Sequence, residues 1–477
     1  MKVQKTSELC TQFSLFPAQN LEVFKNRFYQ SDLGKIYSAI PWDEMIKIFD
    51  IKEEQEGRKF LFPPQGRLAL MFLKNYSGLS DRKLIEHLNG NIEWQFFCGI
   101  FLGFKRIDNY KIVSQIRCEL AAKLDIEKTE KIFYDYWKPF INDPEKVLID
   151  ATCYESEMRY PTDVKLLWEC AQWCHKRMVK ISKLLSIPRL RTKYLKWIKR
   201  YVNFSKMKRK PKKQRDALRR SSLLLIEKLI DFLEQHDHFF NSRELKRIQI
   251  IKKVHMQQHA WLYKGETPKD RIVSLHKEYV RPIVRGKEIR NVEFGPKVNK
   301  IQIDGISFIE KLSFNAFNEG VRFKQSILKA KTLTLSETKI VGADAIYATN
   351  ENRSFATKEE IQTDFKPKGP KPKDYKQRKQ SQALITKERA SRLEGSFGKD
   401  KEHYHLRKIK AKTEQNEKLW IFFGVHVGNA LEIGRRKVAD LKKNQLKKKP
   451  FYKYNYRLGL VCFFVKSYWT KHCFLCK

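Results

Sequence analysis

The feature that most restricts the fold is the distance between its strand-like runs. Lys146 to Ile149 is a mostly apolar run that ends in Asp150, and the next such runs begin only at Ile272. The stretch between them, from about Val164 to Trp261, reads as helix and is very basic. This spacing points to an α/β chain whose first strand is cut off from the others by a large helical block. Ser221 to Phe240 within that block has Leu225, Leu229, Phe232 and Leu233 at helical spacing, which reads as core.

Beyond the block the grammar changes. Ile272-Val273-Ser274-Leu275, Val292-Glu293-Phe294 and Val298 to Ile303 read as short strands, separated by Gly286, Gly295 and Gly305. A helical stretch follows near Ser326 to Lys331, and Ile340 to Ala343 leads into Asp344. Lys366 to Lys379 is rich in Pro, Gly and Lys and reads as a loop. Ser381 to about Phe397 reads as a helix burying Leu384, Ala390, Leu393 and Phe397, and Lys418 to Ile433 as an apolar helix. Lys442 to Lys449 reads as a basic linker.

Residues 1–125 read as a separate, helical unit. Trp42 to Phe49 is a short amphipathic helix after Pro41, with Asp43 and Glu44 in its first turn. Gly66 to Lys74 and Asp81 to Leu88 flank Gly78 and the N-cap candidate Ser80. Such a pair is either a helix-turn-helix DNA reader or an ordinary packed hairpin.

The formal net charge is +43, from 97 Lys+Arg against 54 Asp+Glu. An excess of that size points to a polyanion, nucleic acid first and an anionic membrane surface second. Lys208, Arg209 and Lys210 follow Trp197, Tyr201 and Phe204, a mixture that suits a phosphate-gripping surface. No run approaches the roughly 18–20 apolar residues that cross a bilayer, so no membrane span is expected, and nucleic acid is preferred to a membrane as the partner. Nine irregularly spaced cysteines fit a reducing cytoplasm, and Cys170, Cys174 and His175 lack a second half for a zinc site.

Asp150 and Asp344 each end an apolar strand-like run, and Glu394 lies on a helix among Arg389, Arg392 and Lys401. Strand ends in open sheets gather ligands. Carboxylate oxygens favour Mg²⁺ or Mn²⁺, and two such ions can drive in-line phosphodiester displacement. Asp304 competes for the second aspartate position. It precedes Gly305 in an expected hairpin turn, a structural use of Asp-Gly, so Asp344 is preferred.

Several blocks resemble the bacterial insertion-sequence transposases of the DDE type. They are Ser14 to Asn20, Gly78 to Asp81 and Asn91 to Cys98; Leu148 to Thr152 with Arg159 to Asp163; Ser274 to His276 and Phe294 to Val298; Gly342 to Tyr347 with Glu351 to Arg353; and Arg392 to Gly398 with Lys401. They follow the family order. The resemblance implies a ribonuclease H-like mixed sheet flanked by helices over 140–440, interrupted by a basic helical insertion at 165–265. It implies a helical DNA-binding domain over 1–125, and leaves 441–477 as a basic tail. Asp150, Asp344 and Glu394 would be the catalytic residues and metal ligands for two Mg²⁺ or Mn²⁺ ions. Lys401, Arg392, Tyr347 and Arg353 would contact DNA, although position 390, basic in some relatives, is Ala. The implied activity is cleavage of double-stranded DNA at terminal inverted repeats and strand transfer, by a homodimer on DNA in a bacterial cytoplasm, at the nucleoid. The alternative is an inactive or domesticated DNA-binding descendant.

Overall fold

The computed structural model describes residues 4–5, 18–53, 60–284, 292–368 and 375–448. Eight helices come first: α1 (Ala18–Gln30), α2 (Asp32–Ser38), α3 (Trp42–Ile48), α4 (Pro64–Ser77), α5 (Asp81–Gly90), α6 (Ile92–Phe97), α7 (Lys111–Lys123) and α8 (Ile126–Trp137). The turn signals act as expected. Gly78 ends α4 in the left-handed region at φ 63°, and the Ser80 hydroxyl caps α5 by accepting the Lys83 N–H. Leu84, Ile85 and Leu88 are buried. The α4–α5 pair is a packed hairpin, because α4 buries an unbroken run from Gly66 to Asn75.

Five strands make the principal sheet: β1 (Lys146–Cys153), β2 (Lys297–Ile303), β3 (Ile306–Ser313), β4 (Ile340–Ala343) and β5 (Gln362–Thr363). Their spatial order is β5-β4-β1-β2-β3. β2 is antiparallel to β1 and β3, whereas β1, β4 and β5 run parallel. Asp304 and Gly305, at φ 46° and 83°, form the β2–β3 turn.

Alternation along β1 gives the sheet two different faces. Val147 and Ile149 join a core that includes Phe133 and Trp137 of α8, Ile327 and Leu333 of the helix Phe323–Thr334, and Phe422 and Val427 near the C-terminus. That one core also takes in Leu68 and Phe72 of α4, so the N-terminal helices share a hydrophobic interior with the sheet. Leu148, Asp150 and Thr152 face the opposite side.

Four helices lie between β1 and β2: Asp163–Leu184, Tyr194–Lys206, Lys212–Glu234 and Ser242–Tyr263. They share a core of their own, in which Leu225, Leu229 and Leu233 meet Cys170, Cys174 and Ile251. Both cysteines are buried, which pushes their thiols up and leaves them poor metal ligands. The helix Asn350–Lys358 connects β4 to β5, and after the sheet come the helices Tyr375–Glu388, Gly395–Glu402 and Glu414–Lys448.

Three local expectations differ. Ile272 to Leu275 is buried but unpaired in any sheet; its side chains fill two cores from an extended connection. The expected loop from Lys366 to Lys379 gives way to helix at Tyr375, while Val292–Phe294 is a strand as expected, paired with Pro282–Val284. The final helix continues through Lys448, so most of the expected linker is helical; lysines are good helix formers and nothing before Pro450 breaks the turn. The residues beyond Lys448, including His472, Cys473 and Cys476, lie outside the described residues, as do 6–17.

Candidate active site

Register decides where the aspartates meet. The last parallel pair of β1 and β4 is Ile149 with Ala343, so Asp150 and Asp344 are the next step on neighbouring chains. Neighbouring strands lie about 4.8 Å apart, which makes the two residues lateral neighbours. Asp344 follows the end of β4, as expected. Asp150 does not end its strand: Ala151, Thr152 and Cys153 stay paired with Asn299, Val298 and Lys297 of β2. Each carboxylate accepts the next residue's N–H at 2.7 Å through one oxygen.

Glu394 is brought over this face by the helical run from Tyr375–Glu388 into Gly395–Glu402. The two are joined by a π-helical turn, Arg389–Glu394, whose wider winding is a frequent mark of functional sites. Leu393 and Phe397 pack on Leu148 of β1. Ile385 lies against Gly342, where an added Cβ would come within 2.8 Å of both Ile385 Cγ2 and Leu148 Cδ2. Gly342 therefore permits the close approach. The buried face is thus Ile385, Leu393 and Phe397, with Leu384 and Ala390 turned outward. The expected spacing holds for Leu393 and Phe397 but not for Leu384 and Ala390, because the extra residue of the π turn puts the helix ahead of it out of phase with the part after it.

Below Glu394 a buried network fixes the helix. Lys300, directly opposite Asp150 on β2, is fully buried; its Nζ donates to Asp400 Oδ2 at 2.6 Å. The Tyr154 hydroxyl donates to the same oxygen at 2.6 Å. The Lys300 ammonium also lies 4.6 Å from the Phe397 ring centroid.

Arg389 stands among the carboxylates. Its guanidinium is 3.9 Å from Asp344, 3.5 Å from Glu394 and 3.6 Å from a further carboxylate, Asp364. Sequence reasoning missed Asp364, which is buried at the end of β5 and accepts the Ala343 N–H. Its only sequence signal was its place after the short Gln362–Thr363 run. Asp150 is pushed up to about 6, mainly by burial and then by the charges of Glu319 and Asp344; the Ala151 N–H and Arg389 oppose this. Among the described residues no three His, Cys, Asp or Glu side chains are gathered tightly enough to hold a metal ion. The carboxylates stand around a guanidinium rather than in a closed cage.

The other expected residues divide. Lys401 Nζ donates to Thr152 Oγ1 at 2.9 Å, one step along the same face from Asp150. Arg392 pairs with Asp304 at 3.2 Å and Glu388 at 3.1 Å and stays half exposed. Tyr347 is fully buried and its hydroxyl donates to Asn299 at 2.6 Å; packed this way the ring is out of reach of DNA. Arg353 donates to the Ala348 carbonyl and lies over Phe365, acting locally. Lys208, Arg209 and Lys210 are exposed in the loop between the helices Tyr194–Lys206 and Lys212–Glu234. Asp304 is bound by Arg436 at 2.9 Å as well as by Arg392, within the β2–β3 turn. Arg159 to Thr162 and Ser274, His276 and Lys277 line one cavity of about 370 Å³.

Two family models match the chain. A transposase domain model covers residues 22–118, the helices from α1 to α7. A transposase DDE domain model covers residues 341–427, which contain both Asp344 and Glu394. Together the two matches indicate a transposase and support the insertion-sequence DDE type. The transposase matches no curated protein and no solved structure. A DDE transposase has DNA as its partner and typically uses divalent metals. No described helix is long and apolar enough to cross a membrane.

Proposed function

We propose that this transposase is catalytically active: it binds the inverted repeats at its element's ends, frees a 3′-OH and joins it to target DNA. The observation that carries this reading is the β1–β4 register, which sets Asp150 beside Asp344 beneath the helix bearing Glu394. The order β5-β4-β1-β2-β3, with β2 alone antiparallel, supports a ribonuclease H-like catalytic body. The four basic helices between β1 and β2 then form an insertion beside the site.

The donor set fits Mg²⁺ or Mn²⁺: three carboxylates offer hard oxygens, and Asp150 is buried at a cost that a nearby cation relieves. Bound there, two ions would supply activation of the attacking oxygen and stabilisation of the leaving oxygen. Asp150, Asp344 and Glu394 would hold them. Lys401 would leave Thr152 to take a phosphate oxygen, and Arg392 would add a half-exposed charge. Lys208, Arg209 and Lys210 would grip the backbone further out. A homodimer would pair two element ends, in the cytoplasm at the nucleoid.

The test is cleavage and strand transfer on matched repeat ends with Mg²⁺, beside a binding assay. Asp150→Ala and Glu394→Ala should abolish both reactions and keep DNA binding. Activity that survives Asp150→Ala refutes the site. DNA binding without any wild-type cleavage would leave the domesticated descendant.

A further inference from the structure

The guanidinium of Arg389 occupies the place in the carboxylate group where positive charge is most needed. It comes within 4 Å of Asp344, Asp364 and Glu394 at once. Its contacts are ion pairs of poor hydrogen-bond geometry: at 3.5–3.9 Å they lie at or beyond the limit of a good N–H···O bond. The Nε atom is buried without a hydrogen-bond partner. A cation held by charge and one long hydrogen bond to Glu394, with an orphaned donor, is cheaper to move than one locked by bidentate bonds.

The π-helical turn puts it there. In an α-helix the residue one turn before Glu394 is Ala390, whereas a turn with i to i+5 bonding aligns position 389. The extra residue therefore exchanges a methyl group for a guanidinium at the site.

We propose that Arg389 is a resident counter-cation of the metal-free transposase, neutralising Asp344 and Glu394 until divalent ions displace it. This rests on the three-carboxylate reading above. Asp364, buried and pairing with Arg389 Nε, keeps the displaced guanidinium close by. The arrangement sets a threshold: the site fills only when incoming metal, with the DNA it accompanies, outcompetes an internal charge.

The experiment measures Mn²⁺ binding to the full chain without DNA, by the loss of the free-ion electron paramagnetic resonance signal. Arg389→Gln should bind Mn²⁺ about tenfold more tightly than wild type, the scale expected for deleting a unit charge a few ångströms from a divalent ion near solvent. Arg389→Lys should stay near wild type, because a cation remains. Equal or weaker binding by Arg389→Gln, including no binding by either protein, overturns the proposal. A structural lesion would lower affinity, so a gain is not its product. Adding Glu394→Gln to Arg389→Gln should remove the gain. A gain that persists in that double variant would instead refute the placement of metal at Glu394.

Discussion

Asp150→Asn should stabilise the metal-free transposase, and only at pH values where Asp150 is ionised. The carboxyl is pushed from its ordinary value of 3.8 up to about 6, chiefly by burial. A folded-state value above the unfolded one means the native protein holds more protons than the unfolded chain between the two. Stability therefore falls as pH rises from about 4 through about 6, and the loss is complete above that. The rise from 3.8 to about 6 corresponds to about 3 kcal/mol. Asn removes the charge and keeps the shape, so the variant should gain about 2–3 kcal/mol at pH 7.5 and less than about 1 kcal/mol near pH 4. The assay is urea denaturation with EDTA at the two pH values, comparing midpoints at constant slope. Millimolar Mg²⁺ should then favour the wild type, since ligands that bind the folded state stabilise it. A variant no more stable than wild type at pH 7.5, or equally stabilised at both pH values, would refute the burial argument.

Gly342→Ala should push Ile385 and the Glu394 helix off the sheet. It should cost about 1–3 kcal/mol on denaturation and reduce strand cleavage far more than DNA binding. Asp400→Ala leaves the Lys300 ammonium buried and unpaired, and should cost about 3–5 kcal/mol; adding Lys300→Met should recover part of it, as read by denaturant midpoints. Replacing Lys208, Arg209 and Lys210 by Gln should weaken DNA binding across sequences and lower the slope of log affinity against log salt by up to about 3. An unchanged slope in a salt titration would remove that loop from the DNA path.

Sequence legibility followed the range of the forces involved. Local signals were readable: the Gly78 turn, the Ser80 cap, the Asp304-Gly305 hairpin and the apolar phase at Leu225, Leu229 and Leu233 all depend on neighbouring residues. The basic helices between β1 and β2 were visible because composition and period change together. What escaped depends on distant partners. β1 runs past Asp150 because β2 pairs with it, whereas Ile272 to Leu275, equally apolar, has no strand to join. Asp150, Asp344 and Glu394 were proposed by resemblance; Arg389 was legible only as a basic neighbour of Glu394, and Asp364 not at all. A π turn carries no composition signature, and Asp364 reaches the site only through the β4–β5 pairing.

The two hydrophobic interiors carry a consequence for how such a protein can be altered. The helices between β1 and β2 close over their own apolar contents, while the N-terminal helices, the sheet and the final helix share one. The first is a cassette: exchanging it for another basic bundle with matching end points should retune grip and site choice and leave the scissors intact. The second is indivisible. Cutting the chain ahead of β1 would strip the cover from Val147, Ile149 and Phe308, so a minimal nuclease made by truncation should aggregate rather than cleave.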